Sequence, residues 1–307
     1  MAAPHPLDIS VVIPIYNEEE NVGELVERVS EVMEATGYLF EMILVDDGSR
    51  DGTLDLLREA CGRVAGLRVV ALRRNFGQTS ALQAGFDHAR GRIIVTLDGD
   101  LQNDPADVPR LIALIEQGAD VVSGWRRDRQ DTLFLRRIPS LIANGLIRLL
   151  TGVPVHDQGC SLKAYRREVI ERLDLYSDMH RFITVLTMWN AAKISEVEVT
   201  HHPRRAGSSK YGLTRVGKVI ADLLTIQMIT HFRHHPVRWF SLVAAPFVLA
   251  SVVCLAAVPL GGVVMASVSV IASMVCVSCA CAGAVAELIL ETAHSEREFL
   301  IAREAQR

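Results

Sequence analysis

From Ile9 onward, short apolar runs rich in β-branched residues alternate with stretches in which apolar positions recur every three or four residues. The runs 9–15, 41–45, 68–72, 92–97 and 120–123 predict strands, and 19–35, 53–59, 79–89 and 107–117 predict helices. Nearly continuous apolar strands separated by helices must be covered on both faces, which predicts an α/β fold with a mostly parallel central sheet. Ligands of such sheets bind outside the carboxyl ends of the strands. The polar clusters of this chain fall at those ends.

Two later stretches have a different character. Residues 133–150 mix Leu133, Phe134, Ile138, Leu141, Ile142, Leu146 and Leu149 with Arg136, Arg137 and Arg148, and residues 213–232 carry Arg215 and Lys218. His231, Arg233, His234, His235 and Arg238 follow. Such patterns suit surface helices of a soluble body, or helices lying in a membrane interface with basic side chains toward headgroups. The neighbouring tail favours the interface. Residues 239–286 contain no Asp, Glu, Lys, Arg or His, and Pro259-Leu260-Gly261-Gly262 divides them into two segments. Each segment can cross about 30 Å of hydrocarbon at about 1.5 Å per residue. A buried hairpin in a soluble protein would give the same run.

The whole chain has 307 residues, 50 % of them hydrophobic and 22 % charged, which excludes disorder. Its mean hydropathy of +0.23 comes from the tail, since every charged residue lies elsewhere. The expected organisation is a catalytic domain over 1–212, with an amphipathic interface helix at 133–150. A juxtamembrane segment over 213–238, two transmembrane helices within 239–286 and a tail over 287–307 follow. Arginines flank the outer ends of the hairpin and none lies in its turn, which predicts a cytoplasmic body integral to the inner membrane. Residues 1–8 hold no apolar stretch, so no cleaved signal peptide is expected. A net charge of −4 gives no general attraction to nucleic acid. The six cysteines form no disulfide framework, and Cys276, Cys279 and Cys281 lack the His or carboxylate neighbours of a zinc site.

The first strand runs into Pro14-Ile15-Tyr16-Asn17-Glu18 and the second into Asp46-Asp47-Gly48-Ser49. Carboxylates there can accept from nucleobase N–H groups or ribose hydroxyls, and Tyr16 offers a flat face for stacking. The same residues also make ordinary turns and helix caps. The fourth strand runs into Asp98-Gly99-Asp100-Leu101-Gln102. Two carboxylates flanking a glycine can share one hard divalent cation, with Gln102 as a further oxygen ligand. Such a cation would neutralise a diphosphate leaving group.

With these motifs the chain resembles glycosyltransferase family 2, of the GT-A fold. Within the family it is similar to the polyprenyl-phosphate sugar synthases, such as dolichol-phosphate mannosyltransferase and bactoprenol glucosyltransferase. The resemblance rests on residues 11–22, 43–53, Arg74-Asn75-Phe76-Gly77 with Ala81 and Gly85, 98–105, Asp157-Gln158-Gly159-Cys160 and 204–211. It implies a GT-A type nucleotide-sugar-binding domain followed by a two-helix transmembrane hairpin. Pro14, Tyr16, Glu18, Asp46, Asp47 and Gly99 are implied donor contacts. Asp98, Asp100 and Gln102 are implied to hold Mg2+ or Mn2+. Arg126, Arg204 and Lys210 are implied to clamp donor phosphates, for which an arginine's planar fork is suited. Arg136 and Ser140 are implied to contact the acceptor phosphate, with Arg137 able to replace Arg136.

Asp98, Asp100 and Asp157 are the implied catalytic residues. A sugar hydroxyl acceptor would need a carboxylate base, but a phosphate monoester, with a second pKa near about 6, is already ionised at neutral pH. Asp157 therefore reads as a base, as a positioning residue or as a turn cap. Thr184 stands where close relatives would have a proline, and the pocket for the sugar is left open. The expected activity is inverting transfer of one sugar from a nucleotide diphosphate sugar (GDP-mannose or a UDP-sugar) to a polyprenyl (dolichyl or undecaprenyl) phosphate. A homo-oligomer is a further implication. The alternatives are a processive polysaccharide synthase, disfavoured because no Gln-x-x-Arg-Trp motif is present, and a non-catalytic membrane-tethered binder of sugar nucleotides.

Overall fold

A computed structural model describes residues 7–127, 145, 148, 152–171, 173, 175, 179–189, 191–203 and 236–304. Apart from Gly145 and Arg148, the amphipathic stretches 133–150 and 213–232 lie outside these residues, as do Arg136, Ser140, Arg204 and Lys210. The chain divides into two compact units, Met1–Val216 and Gly217–Arg307.

In the first unit the most apolar run becomes the inner strand β1 (Ile9–Ile15), buried along nearly its whole length. It pairs in parallel with β2 (Phe40–Asp46) on one side and β4 (Ile93–Thr96) on the other, and β2 pairs in parallel with β3 (Leu67–Ala71). Beyond β4 the sheet continues through β6 (Lys163–Arg166) and β5 (Val121–Trp125) to the edge strand β7 (Ile194–Glu198), giving the order β3-β2-β1-β4-β6-β5-β7. Only β6 is antiparallel to its neighbours. The sheet is thus mostly parallel, with two strands, β6 and β7, beyond the five that the hydrophobic pattern indicated.

Helices α1 (Val22–Thr36), α2 (Thr53–Arg63), α3 (Gln78–His88) and α4 (Val108–Glu116) follow β1 to β4, and short helices α5 (Arg167–Ile170) and α6 (Ile183–Trp189) come later. In α1 the buried residues are Val22, Leu25, Val26, Val29 and Met33, one stripe at helical spacing. This stripe packs with Val11, Ile13, Met42, Leu44 and Val95 in the main core. Complete burial of a side chain such as Leu25 contributes about 1.5–3 kcal/mol. Helix α3 covers the opposite face, where Gly85 permits close approach: a Cβ there would lie 2.2 Å from Val12 Cγ1.

The second unit contains α7 (Pro236–Ala256) and α8 (Val258–Glu304), with a non-helical residue, Gly262 (φ 54°, ψ −135°), near the start of α8. The two helices meet through small residues. Ser251 Oγ lies 2.8 Å from Ser273 Oγ and 3.2 Å from Ser269 Oγ, and a Cβ on Gly283 would touch Phe240 at 3.3 Å. Their outer faces carry Leu242, Leu249, Leu255, Val263 and Met274, all exposed. Small residues inside and large apolar residues outside is the arrangement of helices packed in lipid. It is the reverse of a buried hairpin. The apolar stretches Pro236–Ala256 and Val258–Leu288 are each long enough to be a candidate membrane span.

Candidate active site

Parallel pairing sets Ile15 opposite Asp46, so the loops after β1 and β2 leave the sheet side by side. Hydrogen bonds then lace them together. Asn17 N–H donates to Ser49 Oγ (2.9 Å), Arg50 N–H to Asn17 Oδ1 (2.8 Å) and Glu18 N–H to Thr53 Oγ1 (2.9 Å). Asn17 takes a left-handed φ of 54°, between Tyr16 and Glu18.

The two adjacent aspartates diverge. Asp46 is buried and accepts Ser49 N–H, folding back on its own loop. Asp47 reaches the loop after β3, accepting Phe76 N–H at 2.8 Å and Gly77 N–H at 2.9 Å. Burial pushes the Asp47 carboxyl above its ordinary pKa, opposed by those two N–H groups and reinforced by neighbouring Asp46. Gly48 makes the approach possible. Its φ is 68°, and a Cβ there would lie 2.4 Å from the Arg74 carbonyl carbon.

The third component comes from the end of β4. Asp98 Oδ1 accepts from Gln78 Nε2 at 2.8 Å, and Asp100 Oδ1 accepts Gln102 N–H at 3.2 Å. Between Asp100 and Gln102, buried Leu101 adopts φ 57°, an unfavourable conformation for a large side chain and one that concentrates at functional loops. The Gln102 carbonyl accepts His202 N–H, and His202 Nε2 lies 2.8 Å from Asp104 Oδ2, fastening this loop to the chain after β7.

These loops enclose a cleft of about 320 Å³, lined by Pro14, Ile15, Tyr16, Glu18, Asp47, Asn75, Gly77, Gln78, Asp98, Gly99 and Asp100. It gathers most of the expected donor contacts and both carboxylates of the Asp-Gly-Asp motif. Asp46, Gln102, Arg126 and Asp157 are not among its lining residues. Asn75, Gly77 and Gln78 are additions to the expected set, supplied by the loop after β3 and the N-terminus of α3. The signal for them was the glycine between a strand and a helix, a place where backbone N–H groups can meet an anion. Among the described residues, no three His, Cys, Asp or Glu side chains gather to hold a metal by themselves. Asp98 and Asp100 do bring two hard oxygen donors to one open cleft, which fits a Mg2+ or Mn2+ that keeps water or phosphate oxygens in its other positions.

Arg126 and Asp157 form a separate, largely buried pair. Arg126 Nε lies 2.7 Å from Asp157 Oδ2 and Nη2 lies 3.1 Å from Oδ1, so the guanidinium fork expected to grip phosphates grips a carboxylate. Burial opposes the charge on Arg126, but the anionic surroundings, with Asp157 foremost among the carboxylates and Asp98 contributing, raise its pKa above the ordinary value. Cys160 beside it is a neutral thiol, pushed up to about 11 by burial. Lys163 is also buried and donates to the Gln158 carbonyl at 3.1 Å. Burial lowers its pKa.

Residues 10–174 match the profile of Glycosyl transferase family 2. The chain is 50 % identical over 238 residues to dodecaprenyl-phosphate galacturonate synthase of Rhizobium johnstonii, covering 76 % of this chain and 70 % of that protein. It is 45 % identical over 227 residues to undecaprenyl-phosphate 4-deoxy-4-formamido-L-arabinose transferase of Edwardsiella ictaluri, covering 73 % and 69 %. Among solved structures it resembles glucosyl-3-phosphoglycerate synthase from Mycobacterium tuberculosis in complex with uridine-diphosphate, with a TM-score of 0.58 and 24 % identity over 72 % of this chain and 80 % of that one. The same enzyme with Mn2+, uridine-diphosphate and glucosyl-3-phosphoglycerate gives a TM-score of 0.56 at 23 % identity, again over 72 % and 80 %.

Proposed function

Because the chain belongs to glycosyl transferase family 2, we propose that this glycosyltransferase moves one sugar from a nucleotide diphosphate sugar to a polyprenyl phosphate at the cytoplasmic face of a membrane. The observation that carries this reading is one cleft, at the carboxyl ends of parallel strands, containing Tyr16, Glu18, Asp47, Asp98 and Asp100 in a chain with two apolar helices. The named relatives transfer galacturonate or 4-deoxy-4-formamido-L-arabinose, so nucleotide forms of these two sugars are the first donors to try.

Tyr16, Glu18 and Asp47 hold the donor's nucleoside, and Asp98 and Asp100, themselves anionic, would meet its diphosphate end through a bound cation. A Mg2+ or Mn2+ held by Asp98 and Asp100 would supply positive charge against the departing diphosphate. An oxygen of the acceptor phosphate attacks the anomeric carbon from the face opposite the diphosphate. The bond from that carbon to the diphosphate oxygen breaks, its electron pair leaves with the nucleoside diphosphate, and the configuration inverts. The attacking phosphate monoester is already ionised near neutral pH, so no base is required. Asp157, with both oxygens on Arg126, orients that guanidinium and takes no proton. Arg136 and Ser140 receive the acceptor phosphate, and Arg204 and Lys210 the donor phosphates.

The test is the full-length protein in detergent with polyprenyl phosphate, Mn2+ and a panel of labelled nucleotide sugars. Label moving into the lipid extract, one sugar per lipid, is the expected result. Donor binding without any transfer would overturn the enzyme mechanism, and a long water-soluble polymer would point to a processive synthase.

A further inference from the structure

Glu196 takes no part in the mechanism above, yet it braces one of its components. It lies in the edge strand β7, opposite Ser123 of β5, and its side chain is only 12 % exposed. Glu196 Oε1 accepts the main-chain N–H of His156 at 2.8 Å and of Asp157 at 3.2 Å, while Oε2 lies 2.7 Å from His156 Nδ1. Hydrogen bonds from backbone N–H to a carboxylate are among the stronger kinds, because the acceptor is charged.

The held peptide belongs to a two-rung clasp. Trp125 and Arg126, at the end of β5, face His156 and Asp157, which precede β6. The first rung is a stack of Trp125 on His156, with ring centroids 4.6 Å apart and planes 21° from parallel. The second is the two-point ion pair of Arg126 with Asp157. A fork-to-carboxylate pair has strict geometry, so a shift of the Asp157 backbone moves the guanidinium with it. Asp98, on the cleft, is the smallest of the anionic influences that favour the charged form of Arg126.

We propose that Glu196 is a positioning residue of the transfer reaction: it fixes the His156–Asp157 peptide and thereby the Asp157–Arg126 pair whose charge acts on the cleft. The inference rests on the transferase reading and adds to it a residue that contacts neither substrate. Its effect passes through Asp157, which is what separates it from a general stabilising role.

The experiment is a double-mutant cycle in the lipid-transfer assay, using full-length protein. Glu196→Ala is expected to lower kcat about tenfold while changing the donor KM less than about threefold. Glu196→Gln, which keeps an oxygen for the two main-chain N–H groups, should retain about half or more of the rate. In the Asp157→Asn background, adding Glu196→Ala should lower kcat by less than about twofold more. A multiplicative loss in the double variant, or wild-type kcat in Glu196→Ala, would overturn the proposal. Should Glu196→Ala not fold, Glu196→Asp, whose carboxylate falls one methylene short, takes its place in the cycle. Failure of the wild-type protein to transfer any sugar would instead count against the transferase reading.

Discussion

Gln78 donates from its side-chain amide to Asp98 Oδ1 at 2.8 Å, joining the first turn of α3 to the end of β4. The bond fixes the rotation of a carboxylate assigned to the metal, and Gln78 itself lines the cleft. Partners of this kind commonly contribute tenfold or more to metal affinity. Gln78→Leu should therefore raise the Mn2+ concentration needed for half-maximal transfer by about 10-fold or more, with a smaller effect at saturating Mn2+. Titrating the metal in the transfer assay measures it.

Asp100 is nearly buried beside a loop residue, Leu101, held at φ 57°. Asp100→Asn keeps the shape and the acceptor for Gln102 N–H but removes the charge. Transfer should fall by about 100-fold or more, because a cation less firmly held can no longer offset the charge developing on the diphosphate. Wild-type turnover in this variant would remove Asp100 from the metal assignment.

The Arg126–Asp157 pair makes a stability prediction distinct from its role in transfer. Arg126→Met takes the two-point guanidinium away from the buried Asp157 carboxylate, a loss of up to about 3–5 kcal/mol. Arg126→Met with Asp157→Leu removes both charges, so the double variant should melt at a higher temperature than Arg126→Met alone. Calorimetry in detergent distinguishes this from simple addition of the two losses.

Gly48→Ala tests the turn that brings Asp47 to the Phe76–Gly77 loop. The new methyl would be forced into the Arg74 main chain at a left-handed φ, with no flexible side chain able to give way. A loss above about 2 kcal/mol in denaturant unfolding is expected, more than an ordinary glycine-to-alanine change at a compatible site.

Asp104 gives the pH dependence. Burial acts to raise its pKa, but the hydrogen bonds from His202 and Ala106 N–H, with the charge of His202, hold it below the ordinary carboxylate value. The ionised form is therefore favoured in the folded state. Its contribution, about 1 kcal/mol at most for this partly exposed group, is present above the ordinary carboxylate pKa and lost as pH falls through the lowered one. Asp104→Asn should be less stable than wild type at pH 7, and the two should converge in strong acid, as followed by urea unfolding across pH.

The strands that hydrophobic pattern revealed are those built largely of apolar, β-branched residues: β1 to β5 matched their expected positions to within a few residues. Strand β6 was hidden because only Ala164 and Tyr165 of its four residues are apolar, and its buried Lys163 is accommodated by the carbonyl of Gln158, in the loop just before the strand. Strand β7 reads Ile-Ser-Glu-Val-Glu, an edge strand too polar to stand out. Within the site, motif spacing led to the carboxylates but could not separate Asp46 from Asp47. Consecutive side chains at a strand end point in different directions, and only the fold shows that Asp47 has the cleft. Arg126 was expected at the donor phosphates, and the carboxylate it holds instead, 31 residues away, depended on the pairing of β5 with β6. Glu196 gave no sequence signal because its partners, two main-chain N–H groups and the His156 ring, lie 39 and 40 residues away and meet it only through the fold.

Every described residue lining the cleft lies between Pro14 and Asp100, in the first third of the chain. Among the described residues, the part of the site assigned to the nucleoside is thus one contiguous stretch, whereas the cations assigned to the phosphates, Arg204 and Lys210, come from later in the chain. Substitutions in the first hundred residues should therefore act on nucleoside binding first, and those farther along the chain on the phosphates and the acceptor.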